Sequence, residues 1–296
     1  MQLRQALNAA VERLTAARVP SPRMNAELLI MFMLGCDRAY LYAHPERELS
    51  LDEIRRYDEA IARRSTGVPA QYITGHQEFW GLDLIVSPDV LIPRPETEHI
   101  VETVLELVKN NGRSPSAPLR AGSAPSPHKL RIVDLGTGSG AIALALAKEL
   151  PSAEIHASDI SAKALEVARA NAARHELTSR IEFHQADLLD GFPSASFDIV
   201  VSNPPYVGES EEDSVQIEVR KFEPRNAVFA GPTGLEVIER LIPQAREALP
   251  PGGWLVFEIS GTIADRVRPL LSDWNQVEFR NDLQGIARVA VARRNP

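Results

Sequence analysis

The chain has 296 residues, of which 44% are hydrophobic and 24% are charged, and its formal net charge is −8 at pH 7. This balance suits one large domain or two smaller ones, and the acidic charge argues against a protein that binds mainly by neutralising nucleic-acid phosphates. Cys36 is the only cysteine and the seven histidines show no metal-ligand spacing, so we expect neither a disulfide framework nor a bound metal.

The first 70 residues predict a small helical domain. Apolar residues recur at helical spacing in residues 3–17 and 26–35, and a third helix begins at Ser50 and ends near Gly67. Nothing in these helices indicates chemistry, so residues 1–70 are interpreted as a recognition or packing module. No apolar run approaches the ~20 residues that span a bilayer, and no secretory signal is evident, so we expect a cytoplasmic protein.

A hairpin and a further helix follow the helical domain. Residues 71–92 are rich in aromatic and β-branched residues interrupted by Gly and Pro, which predicts a short β-hairpin that acts as a linker. Residues 93–109 predict a helix with Pro95 near its start. Residues 110–129 consist mainly of Pro, Ser, Gly and Ala, so we expect a flexible segment that is inserted in a second domain spanning residues 93–296.

From residue 130 onward, strand patterns alternate with helix patterns. Strands are predicted at 130–136, 153–159, 180–187, 197–203 and 253–259, helices at 140–150, 161–175 and 234–249, and a terminal hairpin at 277–294. Such alternation predicts an α/β domain with a mostly parallel, doubly wound sheet. Ligands of these sheets bind at the carboxyl ends of the strands.

A glycine-rich loop connects the first of these strands to its helix. The sequence "VDLGTGSG" places Gly136, Gly138 and Gly140 in the loop, together with Thr137 and Ser139. Glycines allow a sharp turn and a close approach of the backbone to a ligand. The spacing also satisfies the dinucleotide pattern G-x-G-x-x-A, so it does not by itself separate a nicotinamide cofactor from S-adenosylmethionine.

Two acidic residues follow the next strands. Asp159 is predicted to end the second strand, where a carboxylate can accept hydrogen bonds from both ribose hydroxyls of a nucleoside. Asp187 is predicted to end the third strand, where it could accept from an adenine amino group, with Leu188 against the ring. The sheet is therefore predicted to bind an adenine nucleoside.

The fourth strand ends in Asn203-Pro204-Pro205-Tyr206, which is a poor way to continue either a strand or a helix. In a doubly wound sheet this end lies beside the glycine loop. The side-chain oxygen of Asn203 and the carbonyl of Pro204 can together accept both hydrogens of one NH₂ group, and Tyr206 adds a flat ring for packing. Two fixed acceptors would hold an amide or amino nitrogen with its lone pair aimed at a sulfonium methyl.

Several segments together resemble one enzyme family along nearly the whole chain. The segments are "PAQYITGHQEFWGLDLIVSPDVLIPRPETE", "DLGTGSGAIALALA", "SDIS", "VSNPPYV", "FEPRNAVFAGPTGLEVIERL" and "NDLQGIARVAVARR". They resemble the protein-(glutamine-N5) methyltransferases that modify peptide chain release factors. The resemblance implies a seven-stranded Rossmann-like domain, S-adenosylmethionine as cofactor, and methylation of the glutamine in the Gly-Gly-Gln motif, which modulates translation termination.

The resemblance also implies residue roles. Gly136 to Gly140 and Asp159 match the family's cofactor loop and ribose acid. Leu188 lies where some members have tryptophan. Asn203 to Tyr206 match the glutamine-binding motif, in which Asn203, Pro204 and Tyr206 are expected to be catalytic and Asn203 also to contact the cofactor. The partner implied is a release factor, bound by a monomer without nucleic acid or membrane.

Three alternatives remain open at this point. A sister enzyme methylates a glutamine of a ribosomal protein and shares the glycine loop and the Asn-Pro-Pro-Tyr motif, but residues 91–98, "LIPRPETE", favour the release factor enzyme. An adenine-N6 DNA methyltransferase is a more distant alternative, which the acidic composition disfavours. A non-catalytic S-adenosylmethionine-binding factor is the third, which the intact motif at Asn203 disfavours. The sequence assigns no role to Arg94 or Glu96.

Overall fold

The structure is a computed structural model that describes residues 1–110 and 129–296. Two units divide this part of the chain: residues 1–76 with 216–222 form unit 1, and the other described residues form unit 2. The segment predicted to be flexible, 110–129, lies outside the described residues except at its two ends; Asn110 is the last residue of a helix.

Five helices come first along the chain, and strands and helices are interspersed from residue 76 onward. In chain order they are α1 (Leu3–Ala16), α2 (Pro22–Leu34), α3 (Arg38–Ala43), α4 (Leu51–Ser65), α5 (Ala70–Thr74), β1 (His76–Phe79), β2 (Leu82–Ile85), α6 (Glu98–Asn110), β3 (Arg131–Leu135), α7 (Ala141–Glu149), β4 (Glu154–Asp159), α8 (Ala162–Arg174), β5 (Ile181–Gln185), β6 (Ile199–Ser202), β7 (Val207–Gly208), α9 (Ile217–Phe222), α10 (Arg225–Val228), β8 (Phe229–Gly231), α11 (Glu236–Ala248), β9 (Trp254–Glu258), α12 (Ala264–Val267), β10 (Asn275–Asn281) and β11 (Ala287–Arg293). None of these helices is both long and apolar enough to cross a membrane.

Unit 1 is a helical unit whose core is formed by one apolar face from each of α1, α2 and α4. Helix α4 starts at a reciprocal cap: the Ser50 hydroxyl accepts from the Glu53 N–H at 3.2 Å, and the Glu53 carboxylate accepts from the Ser50 N–H at 2.8 Å. The buried guanidinium of Arg64 donates to Asn25 at 2.7 Å and to Glu218 of α9 at 2.5 Å. These bonds attach α9 to unit 1 although residues 77–215 separate it in sequence.

The hairpin predicted for residues 71–92 starts later than expected. Residues 71–74 are helical, because α5 is held between Pro69 and Gly75 and buries Tyr72 and Thr74 against the other helices of unit 1. Burial here outweighs the strand preference of the aromatic and β-branched side chains. Strands β1 and β2 then form a two-stranded sheet whose turn, Trp80-Gly81, has positive φ at both residues, as a tight two-residue hairpin requires.

Unit 2 contains the predicted doubly wound sheet, with seven strands in the order β10-β11-β9-β6-β3-β4-β5. The strands are parallel except β11, which pairs antiparallel with both neighbours. Successive residues of β6 point to opposite faces: Ile199 and Val201 pack into one core, and Val200 into the other. Because both faces are covered, the central strands are apolar without alternation, as the sequence shows.

The order of the strands brings the two predicted site segments together. Strand β3 lies between β4 and β6, and Leu135 at its end is in register with Ser202 at the end of β6. The Ser202 hydroxyl donates to the Leu135 carbonyl at 2.9 Å. Gly136 and Asn203, the next residues of each strand, therefore leave the sheet side by side at its carboxyl edge.

Asn171 of α8 joins the hairpin to the glycine loop. Its side-chain amide donates to the carbonyls of Ile85 and Ser139, each at 2.9 Å, and its oxygen accepts from the Ile85 N–H at 2.6 Å. The side chain is fully buried. The Asn171 side chain is therefore the hydrogen-bond partner of three backbone groups.

We expect Asn171→Ala to lower the free energy of unfolding by about 3 kcal/mol, because it leaves buried backbone groups without partners. Urea unfolding followed by circular dichroism measures the change. Asn275→Ala removes an exposed amide and is expected to stay within about 0.5 kcal/mol of the parent protein. Equal stability of the two variants would contradict this role for Asn171.

Candidate active site

The glycine loop between β3 and α7 is a backbone cradle. Gly136, Gly138 and Gly140 all have positive φ, at 67°, 56° and 84°. A Cβ on Gly140 would lie 2.5 Å from Leu144 Cδ1, so that glycine permits the close packing of α7 and α8. A Cβ on Gly136 would meet no protein atom within 4 Å. The backbone in front of Gly136 is therefore open to a ligand.

Asp159 is the last residue of β4, as predicted, and it lies beside this loop. Its two carboxylate oxygens accept from the Gly138 N–H at 2.9 Å and from the Ser161 N–H at 2.8 Å. Burial raises the pKa of this carboxyl. Each oxygen of an ionised carboxylate has a second lone pair, so Asp159 can still accept from the hydroxyls of a nucleoside.

Asp134, within β3, is a candidate site residue that the sequence analysis did not identify. One carboxylate oxygen accepts from the Thr137 hydroxyl at 2.6 Å and from the Ala143 N–H at 3.2 Å. The other oxygen, Oδ1, is buried without a hydrogen-bond partner, and burial raises the pKa of the carboxyl to about 7. A buried, unpaired carboxylate oxygen is costly unless a ligand satisfies it. The signal in the sequence was an acid inside an otherwise apolar strand.

The residues after β5 differ in part from the prediction. The strand ends at Gln185 rather than at Asp187, because the Ala186 N–H bonds to the Asp159 carbonyl and the chain then turns. The carboxylate of Asp187 accepts from Arg240 at 2.6 Å. Leu188 has a φ of 54° and is half-buried, and its carbonyl accepts from the Ser158 hydroxyl at 3.1 Å.

Asn203 begins a chain of hydrogen bonds. Its side-chain NH₂ donates to the Thr97 hydroxyl at 3.1 Å, and Thr97 donates to Oε2 of Glu258 at 2.6 Å. Glu258, at the end of β9, is buried, and burial raises the pKa of its carboxyl. Its other oxygen accepts from the Tyr206 hydroxyl at 3.0 Å. The Glu258 carboxylate thus holds both ends of the Asn-Pro-Pro-Tyr motif, Tyr206 directly and Asn203 through Thr97.

This chain of bonds has one direction. Thr97 donates its single hydrogen to Oε2 of Glu258, so its oxygen is the atom left to accept. The Thr97 oxygen then accepts from Asn203, which turns the NH₂ of Asn203 toward Thr97 and its oxygen away. Among the described residues no donor bonds the Asn203 oxygen. The amide orientation is therefore set by the network, and Thr97 and Glu258 join the candidate site although the sequence did not identify them.

The backbone after the motif is fixed by close packing. Strand β7 pairs with β8, and a Cβ on Gly234 would lie 2.7 Å from the Tyr206 carbonyl oxygen. Gly234 also has a positive φ of 83°. Only glycine permits this approach, so the observed packing of the loop that follows Asn203 requires Gly234.

Arg94 and Glu96, which the sequence left without roles, lie near this network. Arg94 forms an ion pair with the buried carboxylate of Glu223, which also accepts from the Ile92 N–H at 3.0 Å. Glu96 is close enough to raise the pKa values of Glu258 and Tyr206, although burial is the larger cause in both. Arg94 thus ties the segment that precedes Thr97 to Glu223, whereas Glu96 acts on the network through its charge.

Comparison with known proteins identifies the family. The family models of the PrmC N-terminal domain and of the methyltransferase small domain match residues 5–75 and 121–222. A protein of Koribacter versatilis (strain Ellin345) is 54% identical over 295 residues, 99% of each chain, and one of Chlorobaculum tepidum is 42% identical over 92% of this chain and 90% of its own. Both relatives are named release factor glutamine methyltransferase, which does not favour the ribosomal-protein and DNA alternatives.

Solved structures support the fold of the sheet. The hMettl16 catalytic domain, solved with a MAT2A 3'UTR hairpin, has a TM-score of 0.55 at 16% identity and covers 86% of this chain and 84% of its own. A 16S rRNA methyltransferase of T. Thermophilus, solved with AdoMet and guanosine, has a TM-score of 0.51 at 17% identity and covers 74% of this chain and 50% of its own. Because such relatives match over nearly the whole chain, the chain belongs to the release factor glutamine methyltransferase family of S-adenosylmethionine-dependent enzymes.

Proposed function

We propose that this enzyme methylates the side-chain amide nitrogen, N5, of the glutamine in the Gly-Gly-Gln motif of peptide chain release factors, and so modulates translation termination. Family membership supports the reaction. The observation that carries the site assignment is the directed chain of bonds from Glu258 through Thr97 to Asn203. It leaves the Asn203 oxygen available beside the glycine loop.

The substrate amide is a poor nucleophile, because its nitrogen lone pair is delocalised into the carbonyl. The Asn203 oxygen and the Pro204 carbonyl are two acceptors for its two N–H groups, and Pro205 has no N–H to compete for them. Tyr206 is held by Glu258 and packs against the amide. Fixing the NH₂ group in this way can lower the barrier by several kcal/mol, on the order of 7 at the favourable end.

The cofactor site is formed by this chain's own residues. When bound, S-adenosylmethionine supplies an electrophilic methyl group on a sulfonium sulfur. Gly136 to Gly140 provide the open backbone, and Asp159 accepts from ribose hydroxyls. We assign the unpaired oxygen of Asp134 as a counter-charge to the cationic part of the cofactor, because it is the buried carboxylate oxygen without a partner among the described residues. Asp187 and Leu188 are assigned to the adenine side.

The partner is proposed to be the release factor itself, bound without nucleic acid by a monomer in the cytoplasm. Residues 1–70 are proposed to form the substrate-recognition domain, residues 71–92 the linker and residues 93–296 the catalytic domain. The match of the PrmC N-terminal domain model to residues 5–75 supports a separate N-terminal domain.

We expect Asn203→Ala to lower kcat about 10²- to 10³-fold, because one of the two acceptors for the amide is lost. The affinity for S-adenosylmethionine should change by less than about fivefold. Transfer of radiolabelled methyl to purified release factor, ribosomes and DNA measures both rate and substrate choice. An undiminished rate would overturn the mechanism, and label only in ribosomal protein or DNA would overturn the substrate.

Thr97 gives a test of the positioning network. Thr97→Val is isosteric but cannot relay the hydrogen bond, so we expect kcat to fall about 10- to 100-fold with little change in cofactor affinity. Thr97→Ser keeps the hydroxyl and should retain most of the activity, which makes it the matched control. If the Val and Ser variants were equally active, the network would not orient Asn203.

The pKa of Asp134 predicts how cofactor binding depends on pH. A carboxyl with a pKa of about 7 is ionised above that pH, and only the ionised form attracts a cation, so affinity should weaken about tenfold as pH falls from about 8 to 6. Isothermal titration calorimetry measures this slope. Asp134→Asn should bind more weakly at pH 8 and show a flat profile; an unchanged slope in that variant would exclude Asp134 as the titrating group.

A further inference from the structure

A cluster of two histidines and one carboxylate lies at the edge of the sheet, outside the site described above. His156 of β4 is in register with Glu182 of β5, and His184 lies two residues further along β5. Residues in register, and residues two apart on one strand, share a face of the sheet. All three side chains therefore project from one face, although 28 residues separate the two histidines in sequence.

The ligand atoms of the cluster converge. The distance from His156 Nδ1 to His184 Nε2 is 3.1 Å; Oε2 of Glu182 lies 3.6 Å from His156 Nδ1, and Oε1 of Glu182 lies 3.5 Å from His184 Nε2. A tetrahedral zinc ion with bonds of 2.0–2.1 Å has ligand atoms about 3.3–3.4 Å from one another. The observed distances bracket that value, and one ligand atom from each of the three residues lies within 4.8 Å of the other two, so one ion can reach all three residues after side-chain adjustment.

A fourth residue orients the first histidine. His156 Nε2 lies 3.0 Å from the Glu154 carboxylate, which can accept an Nε2 hydrogen. In that tautomer Nδ1 is unprotonated and faces His184 and Glu182; without a metal it accepts the His184 Nε2 hydrogen, which leaves that nitrogen when an ion binds. A carboxylate that holds the outer N–H of a ligating histidine is the usual support of a zinc site.

Aromatic rings cover one side of the cluster, and the other side is open to solvent. The Phe197 ring lies 5.1 Å from the ring of His156, and the Phe192 ring lies 4.8 Å from that of His184. The side chain of His156 is 7% exposed, whereas that of Glu182 is 65% exposed. The apolar rings limit competition from water, and an ion can enter from the side of Glu182.

We propose that His156, Glu182 and His184 bind one divalent transition-metal ion, for which zinc is the best match, with a fourth position open to water. The ion joins β4 to β5, the edge strand of the sheet. It thereby stiffens the two strands that lead to Asp159 and Leu188. The binding itself does not depend on the proposed methyl transfer, so either could fail without the other.

Zinc titration of the untagged, metal-free full-length protein tests the proposal. Isothermal titration calorimetry should show one equivalent of Zn²⁺ bound, and saturating Zn²⁺ should raise the thermal midpoint by about 5 °C. His184→Asn should abolish binding. Glu182→Gln changes an exposed side chain that the fold does not require, and it should weaken binding at least tenfold. Glu154→Gln should weaken binding about 10- to 100-fold.

His44→Asn is the matched control, because His44 is an exposed histidine outside any such group among the described residues. It should bind zinc as the parent protein does. Absence of saturable binding in the parent protein would overturn the proposal and leave the cluster as a hydrogen-bonded histidine pair. Undiminished binding in both folded variants, Glu182→Gln and His184→Asn, would overturn it equally.

Discussion

The register between β3 and β6 is the constraint on which the active site depends. Leu135 and Ser202 are paired at the ends of these strands and joined by the Ser202 hydroxyl. A slip of one residue would turn the side chains of β6 to the opposite faces of the sheet and bury polar groups in two apolar cores. The cores therefore enforce the register, and the register places Gly136 next to Asn203. The packing of the two cores thus determines where the candidate active-site residues lie at this edge of the sheet.

Three buried carboxylates hold the chain segments at this edge of the sheet. Asp134 holds the glycine loop, Glu258 holds the Asn-Pro-Pro-Tyr segment, and Glu223 holds the chain before Thr97. Each accepts from groups on a loop that would otherwise be free to move. A buried carboxylate is costly to desolvate, but it accepts several hydrogen bonds at once and so fixes loops that contain few apolar side chains.

Much of this arrangement could be predicted from the sequence, because the features concerned are local. Gly136 to Gly140, the acid at Asp159 and the motif at Asn203 each lie at a strand end that the apolar pattern reveals. The sequence likewise predicts the parallel sheet and the capped helix at Ser50. The late start of the hairpin was missed, since burial of α5 decides the conformation of residues 71–74.

The Thr97 network and the histidine pair were missed for one physical cause, which is distance along the chain. Thr97 is 106 residues from Asn203 and 161 from Glu258, so no spacing rule joins them. His156 and His184 come together only through the pairing of β4 with β5. For Asp134, the decisive fact is an oxygen without a partner, which the folded structure alone can show. Long-range side-chain contacts of this kind leave no periodic signal in one sequence.

The buried pair Arg64–Glu218 has a consequence for how the protein is made. Unit 1 is not one continuous stretch, because its last helix follows residues 77–215. At synthesis rates of ~5–20 residues per second, that helix emerges on the order of ten seconds after His76. During this interval the Arg64 guanidinium lacks its carboxylate, and a buried cation without a counter-charge is strongly unfavourable. The helical unit at the N-terminus thus reaches its final form only after most of the catalytic sheet has been synthesised.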